Sequence, residues 1–213
     1  MRVSRKKCAE NRERVLEAAA KLFCEEGFDD ITLVDVMKAA GLTHGGFYGH
    51  FSSKDDLEIE ATALALTKVA TRWQRLVDRD AGDPLAGLVD HYLSSQDWAQ
   101  RCKRCALATL VADVARQGKR VRTAFAAGLE PVIDVLANTV TDRCPNARLR
   151  KALSIMSELI GALILARAVR ESALSEQVID AALSSLSHAG GHPEAAEGLP
   201  ACGWAAGYKP SCR

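Results

Sequence analysis

Apolar residues recur along most of the chain at spacings of three and four, and this pattern predicts helices. Val15, Ala19 and Phe23, for example, share one face of a helix over about 10–26, which Gly27 ends. The same pattern predicts eight further helices, so we expect an all-α fold. These helices cover about 32–41, 43–49, 53–76, 83–92, 105–116, 119–141, 149–169 and 175–187.

Local signals refine some of these boundaries. Residues 32–35 (TLVD) and 53–56 (SKDD) place a hydroxyl three residues before a carboxylate, which is the pattern of a capping box at a helix start. Pro131 has no amide hydrogen and is expected to kink or interrupt the helix over 119–141. Residues 144–146 (CPN) are predicted to form a turn, and 94–104 a polar connection.

The segment over 149–169 is almost continuously apolar and needs cover on several sides. Its polar residues and flanking arginines argue against a membrane partner. It is either a core helix that also forms a subunit interface or the central helix of a monomer. Because 175–187 offers a second apolar stripe, we favour a homodimer in which two helices from each chain form a four-helix bundle.

Composition limits the class of protein. With 48% hydrophobic residues the chain of 213 can bury a core, which excludes wholesale disorder. Lys and Arg number 28 against 27 Asp and Glu, so a generally basic coat for nucleic acid is excluded but a local patch is not. There is no signal-peptide pattern, which predicts a cytoplasmic protein. Residues 189–213 are rich in glycine and proline, and we expect a flexible tail.

Residues 32–54 carry the most specific signal. Two short helices joined by a tight Ala-Gly-Leu turn form a helix-turn-helix pattern, whose second helix enters the DNA major groove. Gly45, Gly46 and Gly49 each cost a helix about 1 kcal/mol relative to Ala. Glycine permits close backbone approach, and a phosphate backbone is the surface it would approach here. The alternative is a glycine-rich turn between core helices, in which Phe47 and Phe51 are ordinary core anchors. We adopt that alternative for the two phenylalanines only.

Residues 10–57 resemble the DNA-binding domain of TetR-family transcriptional regulators. The resemblance rests on the first helix ending in LF-x-x-x-GF, on TLVDVMKAAG and above all on GLTHGGFYGHFSSKDDL. It implies an all-α homodimer with a three-helix DNA-binding domain over 1–55 and a helical effector-binding and dimerisation domain over 56–188. Before the first helix lies a basic cluster, Arg2, Arg5, Lys6 and Lys7. We favour a solvated N-terminus, and the alternative implied by the resemblance is an arm that reaches DNA.

The resemblance also assigns roles residue by residue. It implies that Thr32 and Thr43 cap helices and touch phosphates. Four residues would face the groove, namely His44, Gly45, Gly46 and Phe47. Three would fix the DNA backbone, namely Tyr48, His50 and Lys54. Many relatives have Lys or Arg in place of His44, and a hydroxyl residue or Ala in place of Gly46, so we expect fewer direct base contacts here.

Family members usually act as repressors that leave a pseudo-palindromic operator in double-stranded DNA when a small molecule enters the C-terminal core. Candidate wall residues of an effector pocket are Trp73, His91, Tyr92, Trp98, Cys105, Phe125 and Met156. Taken singly, each of these side chains is more often an ordinary core residue. Nothing in the sequence points to one ligand class.

An alternative release signal is oxidation or alkylation of Cys105, with Cys102 as resolving thiol. Both lie among the cations of residues 101–104, and Cys105 opens a predicted helix, which favours the thiolate and predicts a lowered pKa. The competing interpretation of Cys105 is a small buried hydrophobic residue. Cys8, Cys24 and Cys144 are interpreted as incidental or core positions.

Enzymatic function is not expected. The sequence has no Ser-His-Asp spacing, paired carboxylates, nucleotide-binding loop or metal-ligand set, so we predict neither a cofactor nor a metal. A thiol-disulfide or zinc module built on the Cys102-x-x-Cys105 spacing is a weaker competitor, because it leaves residues 41–54 unexplained.

Overall fold

The computed structural model describes residues 5–80, 82–93, 105–170 and 172–189, with side chains as far as 187. Across these residues it is all-helical, as the sequence predicts. Its elements are α1 (Arg5–Glu26), α2 (Leu33–Ala39), the 3₁₀ helix η1 (His44–Gly49), α3 (Lys54–Arg79), α4 (Pro84–Leu93), α5 (Ala106–Val114), α6 (Lys119–Thr139), α7 (Pro145–Ala168) and α8 (Leu174–Ala189).

Capping decides where the early helices begin and end. The Thr32 side chain accepts from the amide of Asp35, and the Asp35 side chain accepts from the amide of Thr32, which completes the predicted capping box. Ser53 caps α3 in the same way by accepting from the amide of Asp56. Gly27 follows α1 in the left-handed conformation, with φ +89°.

Two helix boundaries and the interior of one helix differ from the sequence prediction. Helix α1 starts at Arg5 rather than near residue 10, because residues 5–9 contain no helix breaker and lie exposed at its start. Pro145 is the first residue of α7 rather than part of a turn, since proline has no amide hydrogen to lose at that position. Pro131 does not interrupt α6. It is exposed, as is Ala127, so water can bond the carbonyl that loses its partner.

Helix α3 organises the packing. It lies against α6 along much of its length and also contacts α1, α4 and α5, while α7 packs on α6 and α8. Trp73 and Leu66 on α3 are fully buried in one continuous core. Helix α2 docks on α1, η1 docks on α2, and α5 bridges α1 and α7.

No described helix is long and apolar enough to span a bilayer. The predicted connection over 94–104 lies outside the described residues, as do Arg2 and residues 190–213 of the predicted tail. Arg5, Lys6 and Lys7 lie in the first turns of α1, with exposed side chains.

Candidate functional site

The turn between α2 and η1 is fixed by backbone hydrogen bonds. The amide of Leu42 donates to the carbonyl of Met37 at 2.9 Å, and Gly41 adopts φ +66° to allow it. Residues 32–35 form the capping box at the N-terminal end of α2. There the Thr32 hydroxyl donates to Asp35 Oδ2 at 2.5 Å, and this bond with the Thr32 amide holds the pKa of Asp35 below its ordinary value. Thr32 therefore uses both of its donors inside the capping box.

The predicted reading helix is a 3₁₀ helix. Its bonds run three residues back, as from the amide of Gly46 to the carbonyl of Thr43 at 3.0 Å and from His50 to Phe47 at 2.8 Å. Thr43 occupies the N-cap position, but its side chain makes no capping bond, contrary to the expectation that it caps the helix. The side chain of Thr43 is exposed and unused by the cap.

Phe47 is a core anchor and does not face the groove. The residue is 0% exposed, stacks on Phe51 with ring centroids 5.8 Å apart, and meets Tyr48 edge-on. A side chain without exposed surface cannot reach a base edge, so the groove-facing role carried over from the resemblance is wrong for Phe47. The core interpretation of Phe47 and Phe51 is confirmed. Tyr48, in contrast, is 70% exposed.

The glycines of η1 are not required by internal packing. A Cβ atom built on Gly45 or Gly49 meets nothing within 4 Å, and one on Gly46 makes an ordinary contact of 3.6 Å with Met37. None of the three has a positive φ. The fold itself would accept alanine at Gly45 and Gly49. Together with His44 and Tyr48, these glycines form an exposed face with little side-chain bulk.

Two basic residues outside η1 make internal contacts. Lys54 donates to the carbonyl of Phe28 at 2.7 Å and lies 3.6 Å from the buried carboxylate of Glu58, so part of its donor capacity is used internally. Arg12, which sequence reasoning missed, bonds both oxygens of Glu60 and lies 4.7 Å from the Phe51 ring centroid. Its spacing in the sequence gives no sign of either contact.

His50 closes the 3₁₀ helix. Its Nδ1 lies 3.8 Å from Cys8 Sγ on α1, which places this predicted DNA-backbone residue at the junction of α1 and η1.

A cavity of about 620 Å³ opens between α1, α3, α4, α5 and α7. Four of the predicted wall residues line it, namely Trp73, His91, Tyr92 and Cys105. Phe125 and Met156 do not line it, because both are buried in the core on α6 and α7. Trp98 lies outside the described residues. Sequence reasoning missed the lining residues from α1, among them Cys24 and Glu25.

Polar contacts organise the cavity wall. Arg72 Nη2 lies 2.8 Å from His91 Nε2. Arginine has no acceptor, so in this bond the guanidinium donates and the histidine nitrogen accepts. The hydroxyl of Tyr92 lies 2.5 Å from Cys105 Sγ, and the Tyr92 ring meets Trp73 edge-on with centroids 5.4 Å apart.

The expected lowering of the Cys105 pKa is not found. Cys105 is the N-cap of α5 and accepts from the amide of Ala108 at 3.4 Å, but burial raises the pKa of its thiol more than the bonds from Tyr92 and the helix amides lower it. Burial together with the nearby Cys105 raises the pKa of Cys24 to about 12. Cys102 and the cations of residues 101–104 lie outside the described residues.

Helix α5 connects the cavity to the loop that follows α1. It begins after Cys105 at the cavity wall and carries Asp113 near its other end, where Asp113 Oδ2 accepts from the amide of Phe28 at 3.0 Å. Asp113 also pairs with Arg116 at 2.6 Å. Arg120 on α6 pairs with Asp56 near the start of α3 at 2.6 Å, and this pair lowers the pKa of that carboxyl.

Comparison with known proteins agrees with this architecture. A family model described as bacterial regulatory proteins, tetR family, matches residues 15–61. The HTH-type transcriptional regulator AcrR of Shigella flexneri is 32% identical over 87 residues, which are 41% of this chain and 40% of AcrR. The HTH-type transcriptional repressor KstR2 of Mycolicibacterium smegmatis is 31% identical over 87 residues, 41% of this chain and 42% of KstR2. The match therefore spans about 40% of the length of these curated relatives.

Solved structures share the fold over most of the chain. The reduced form of NemR from E. coli matches with a TM-score of 0.71 at 20% identity, covering 87% of this chain and 100% of that one. A TetR transcriptional regulator from Legionella pneumophila matches with a TM-score of 0.67 at 19% identity, covering 88% and 98%. At these identities the likeness concerns the fold.

Proposed function

We propose that the chain is a member of the TetR family, whose model matches residues 15–61, and that it is a sequence-specific DNA-binding transcriptional repressor released from its operator by a small molecule. The division is that of the sequence analysis: residues 1–55 bind DNA, and residues 56–188 bind the effector and dimerise. It acts as a regulator and not as an enzyme, in the cytoplasm.

The open face of η1 is the observation that carries the proposal. Gly45 and Gly49 have no neighbour that excludes a side chain, and His44 and Tyr48 lie exposed beside them. Three glycines weaken a short helix without improving its packing, so their use lies in what approaches from outside. A DNA backbone fits this surface, with Thr43, His50 and the remaining donors of Lys54 at its margin.

Dimerisation through α7 and α8 follows from apolar side chains that the single chain leaves in water. Leu153 and Leu165 on α7 and Leu174 on α8 are large and exposed. A partner's α7 and α8 would cover them and complete a four-helix bundle around a two-fold axis. Two reading units would then contact half-sites about one helical turn, ~34–36 Å, apart.

Selection of bound duplexes from a random pool tests this proposal. The expected product is a pseudo-palindrome whose half-sites are ~10 base pairs apart, centre to centre. A Leu165→Glu variant places a charge in the proposed interface, so it should sediment as a monomer and lose the palindromic preference. Enrichment of single half-sites by a wild-type monomer would contradict the homodimer.

Release is proposed to begin in the cavity and to travel through α5. A ligand that contacts the Cys105 end of α5 changes the position of a helix whose Asp113 end is bonded to the loop of the reading domain. Such a ligand weakens DNA binding only if it prefers the arrangement that does not fit the operator.

Oxidation or alkylation of Cys105 is the alternative release signal, favoured by the position of its thiol on the cavity wall. Its raised pKa counts against fast reaction, because the thiolate is the nucleophile. A Cys105→Ser variant distinguishes the two. If oxidants release DNA from this variant as they do from wild type, the thiol at this position is not the signal.

A further inference from the structure

The charge around the cavity indicates the chemical class of its ligand. Of the charged lining residues, Lys21, Lys68 and Arg72 are cationic and Glu25 is anionic. Lys68 pairs with Glu17, while Arg72 bonds to the His91 ring and pairs with no carboxylate among the described residues. The wall therefore presents a guanidinium group that forms no ion pair with a carboxylate of the described residues.

A second arginine adds to this field. Arg167 on α7 donates to Thr109 Oγ1 at 2.9 Å, again with no carboxylate partner within the described ranges. It is near enough to Cys105 for its charge to favour the thiolate there, although burial outweighs this and the pKa of the thiol is raised. Arg167 thus adds positive charge near Cys105 to that of Arg72 on the cavity wall.

The rest of the wall is apolar. Ala65, Val69, Trp73, Ala106 and Leu163 supply aliphatic and aromatic surface. A volume of about 620 Å³ suits a small organic molecule and is too small for a peptide or nucleic-acid segment. A ligand that satisfies both parts of the wall has an apolar body and one anionic group.

We propose that the cavity binds an organic acid, with its apolar body against Trp73 and Leu163 and its carboxylate bonded to Arg72. Arg72 is suited to this because guanidinium binds carboxylate through two parallel hydrogen bonds and uses only one donor on His91. The inference rests on the proposed function only in treating this acid as the releasing effector, since binding itself needs no DNA.

Isothermal titration of the full chain with matched acids and amides tests the proposal. The probes are 2-naphthoate against 2-naphthamide and decanoate against decanamide, which share a body and differ in charge. Each acid is expected to bind at least about tenfold more tightly than its amide, the range of a charge-assisted hydrogen bond. Arg72→Gln should weaken acid binding about tenfold or more and leave amide binding unchanged.

Arg75→Gln is the matched control, because Arg75 lies exposed on the same helix and does not line the cavity. It should leave every affinity unchanged. The proposal is overturned if acid and amide bind equally, if Arg72→Gln binds the acids as wild type does, or if none of the four probes binds. The wild-type acid-to-amide ratio decides the matter even without the variant.

The two proposals fail separately. Acid binding by a protein that binds no DNA would leave the cavity assignment intact and remove the regulator. Operator binding by a protein that does not distinguish acids from amides would leave the regulator intact and remove the cavity assignment.

Discussion

The backbone amide of Phe28 donates a hydrogen bond to the side chain of Asp113, 85 positions later in the chain, at 3.0 Å. This bond fastens the loop after α1 to the end of α5. A Cβ atom on Gly27 would lie 2.3 Å from Asp113 Oδ2, so the two segments approach as closely as a glycine allows. The nine residues of α5 span about 14 Å at ~1.5 Å each. They connect this contact to the cavity.

Replacing Asp113 by Ala should loosen the contact. The amide of Phe28 would lose its partner in a part-buried place, so we expect a loss of about 1–3 kcal/mol in the free energy of unfolding and faster hydrogen exchange at that amide. Urea denaturation and amide exchange measure the two effects. Arg116→Gln is the control, since it removes the ion pairs of Arg116 with Asp113 and Asp29 and leaves the bond to the Phe28 amide in place. Equal exchange at Phe28 in wild type and Asp113→Ala would show that the bond does not hold the loop.

Gly45→Ala should separate DNA binding from stability. A methyl group at Gly45 meets no atom of the protein, so the free energy of unfolding should change by less than about 0.5 kcal/mol. The same methyl group would stand between η1 and an approaching phosphate, and we expect at least about tenfold weaker operator binding.

Gly27→Ala provides the contrast to this variant. Its positive φ and the crowding by Asp113 predict a loss of stability of about 1 kcal/mol or more. If Gly45→Ala binds DNA as tightly as wild type, then close approach of DNA does not require glycine at position 45.

Thiol reactivity should follow burial. With a pKa of about 12 in place of 9.0, Cys24 holds about a thousandfold less thiolate at pH 8, and burial shifts Cys105 in the same direction. Cys8 and Cys144 are exposed. Of the four cysteines in the described residues, iodoacetamide at pH 8 should therefore modify Cys8 and Cys144 before Cys24 and Cys105, as read by peptide mass spectrometry, and should modify these four at similar rates in urea. Modification of Cys105 ahead of Cys8 would instead support the thiol-based signal.

Much of the fold was predictable because helix periodicity and capping are local properties. The Thr32–Asp35 box and the Ser53 cap need only a few neighbouring residues, and both were predicted correctly. The start of α1 and the continuity of α6 through Pro131 were not. Each depends on whether the segment is exposed to solvent, and the spacing of apolar residues in the sequence does not show this.

The candidate site was predictable where a motif placed it. Residues 41–54 indicated the helix-turn-helix segment. Within it, the residues themselves predicted Phe47 as a core anchor, which is confirmed, whereas the roles carried over from the resemblance placed Phe47 in the groove. The pKa of Cys105 was predicted in the wrong direction, because flanking cations are visible in the sequence and burial is not. Arg12, Cys24 and Asp113 come from distant parts of the chain and needed the tertiary structure.

Glu58 should make stability depend on pH. The residue is 4% exposed, and burial raises the pKa of its carboxyl while Lys54 partly opposes the shift. The folded state then holds the proton more firmly than the unfolded state. The contribution of Glu58 to stability is largest below the ordinary pKa of 4.5 and declines as pH rises through the raised value.

Glu58→Gln should remove that decline. Its free energy of unfolding, compared with wild type by urea denaturation from pH 4 to 8, should rise relative to wild type with pH and be at least equal at pH 7. Glu13→Gln makes the same change of charge at an exposed position of α1. A difference between Glu58→Gln and wild type that stays constant with pH would contradict the buried carboxylate.

Fluorescence anisotropy tests the central claim most directly. The reduced protein is titrated into the duplex that flanks its own gene and into a scrambled duplex of equal length, over a range of salt. The account predicts tighter binding to the native duplex, with an affinity that falls steeply as salt rises, because basic side chains displace counterions from phosphates. Absence of binding to any duplex, even at low salt, would contradict the assignment of residues 32–54 as a DNA-reading unit.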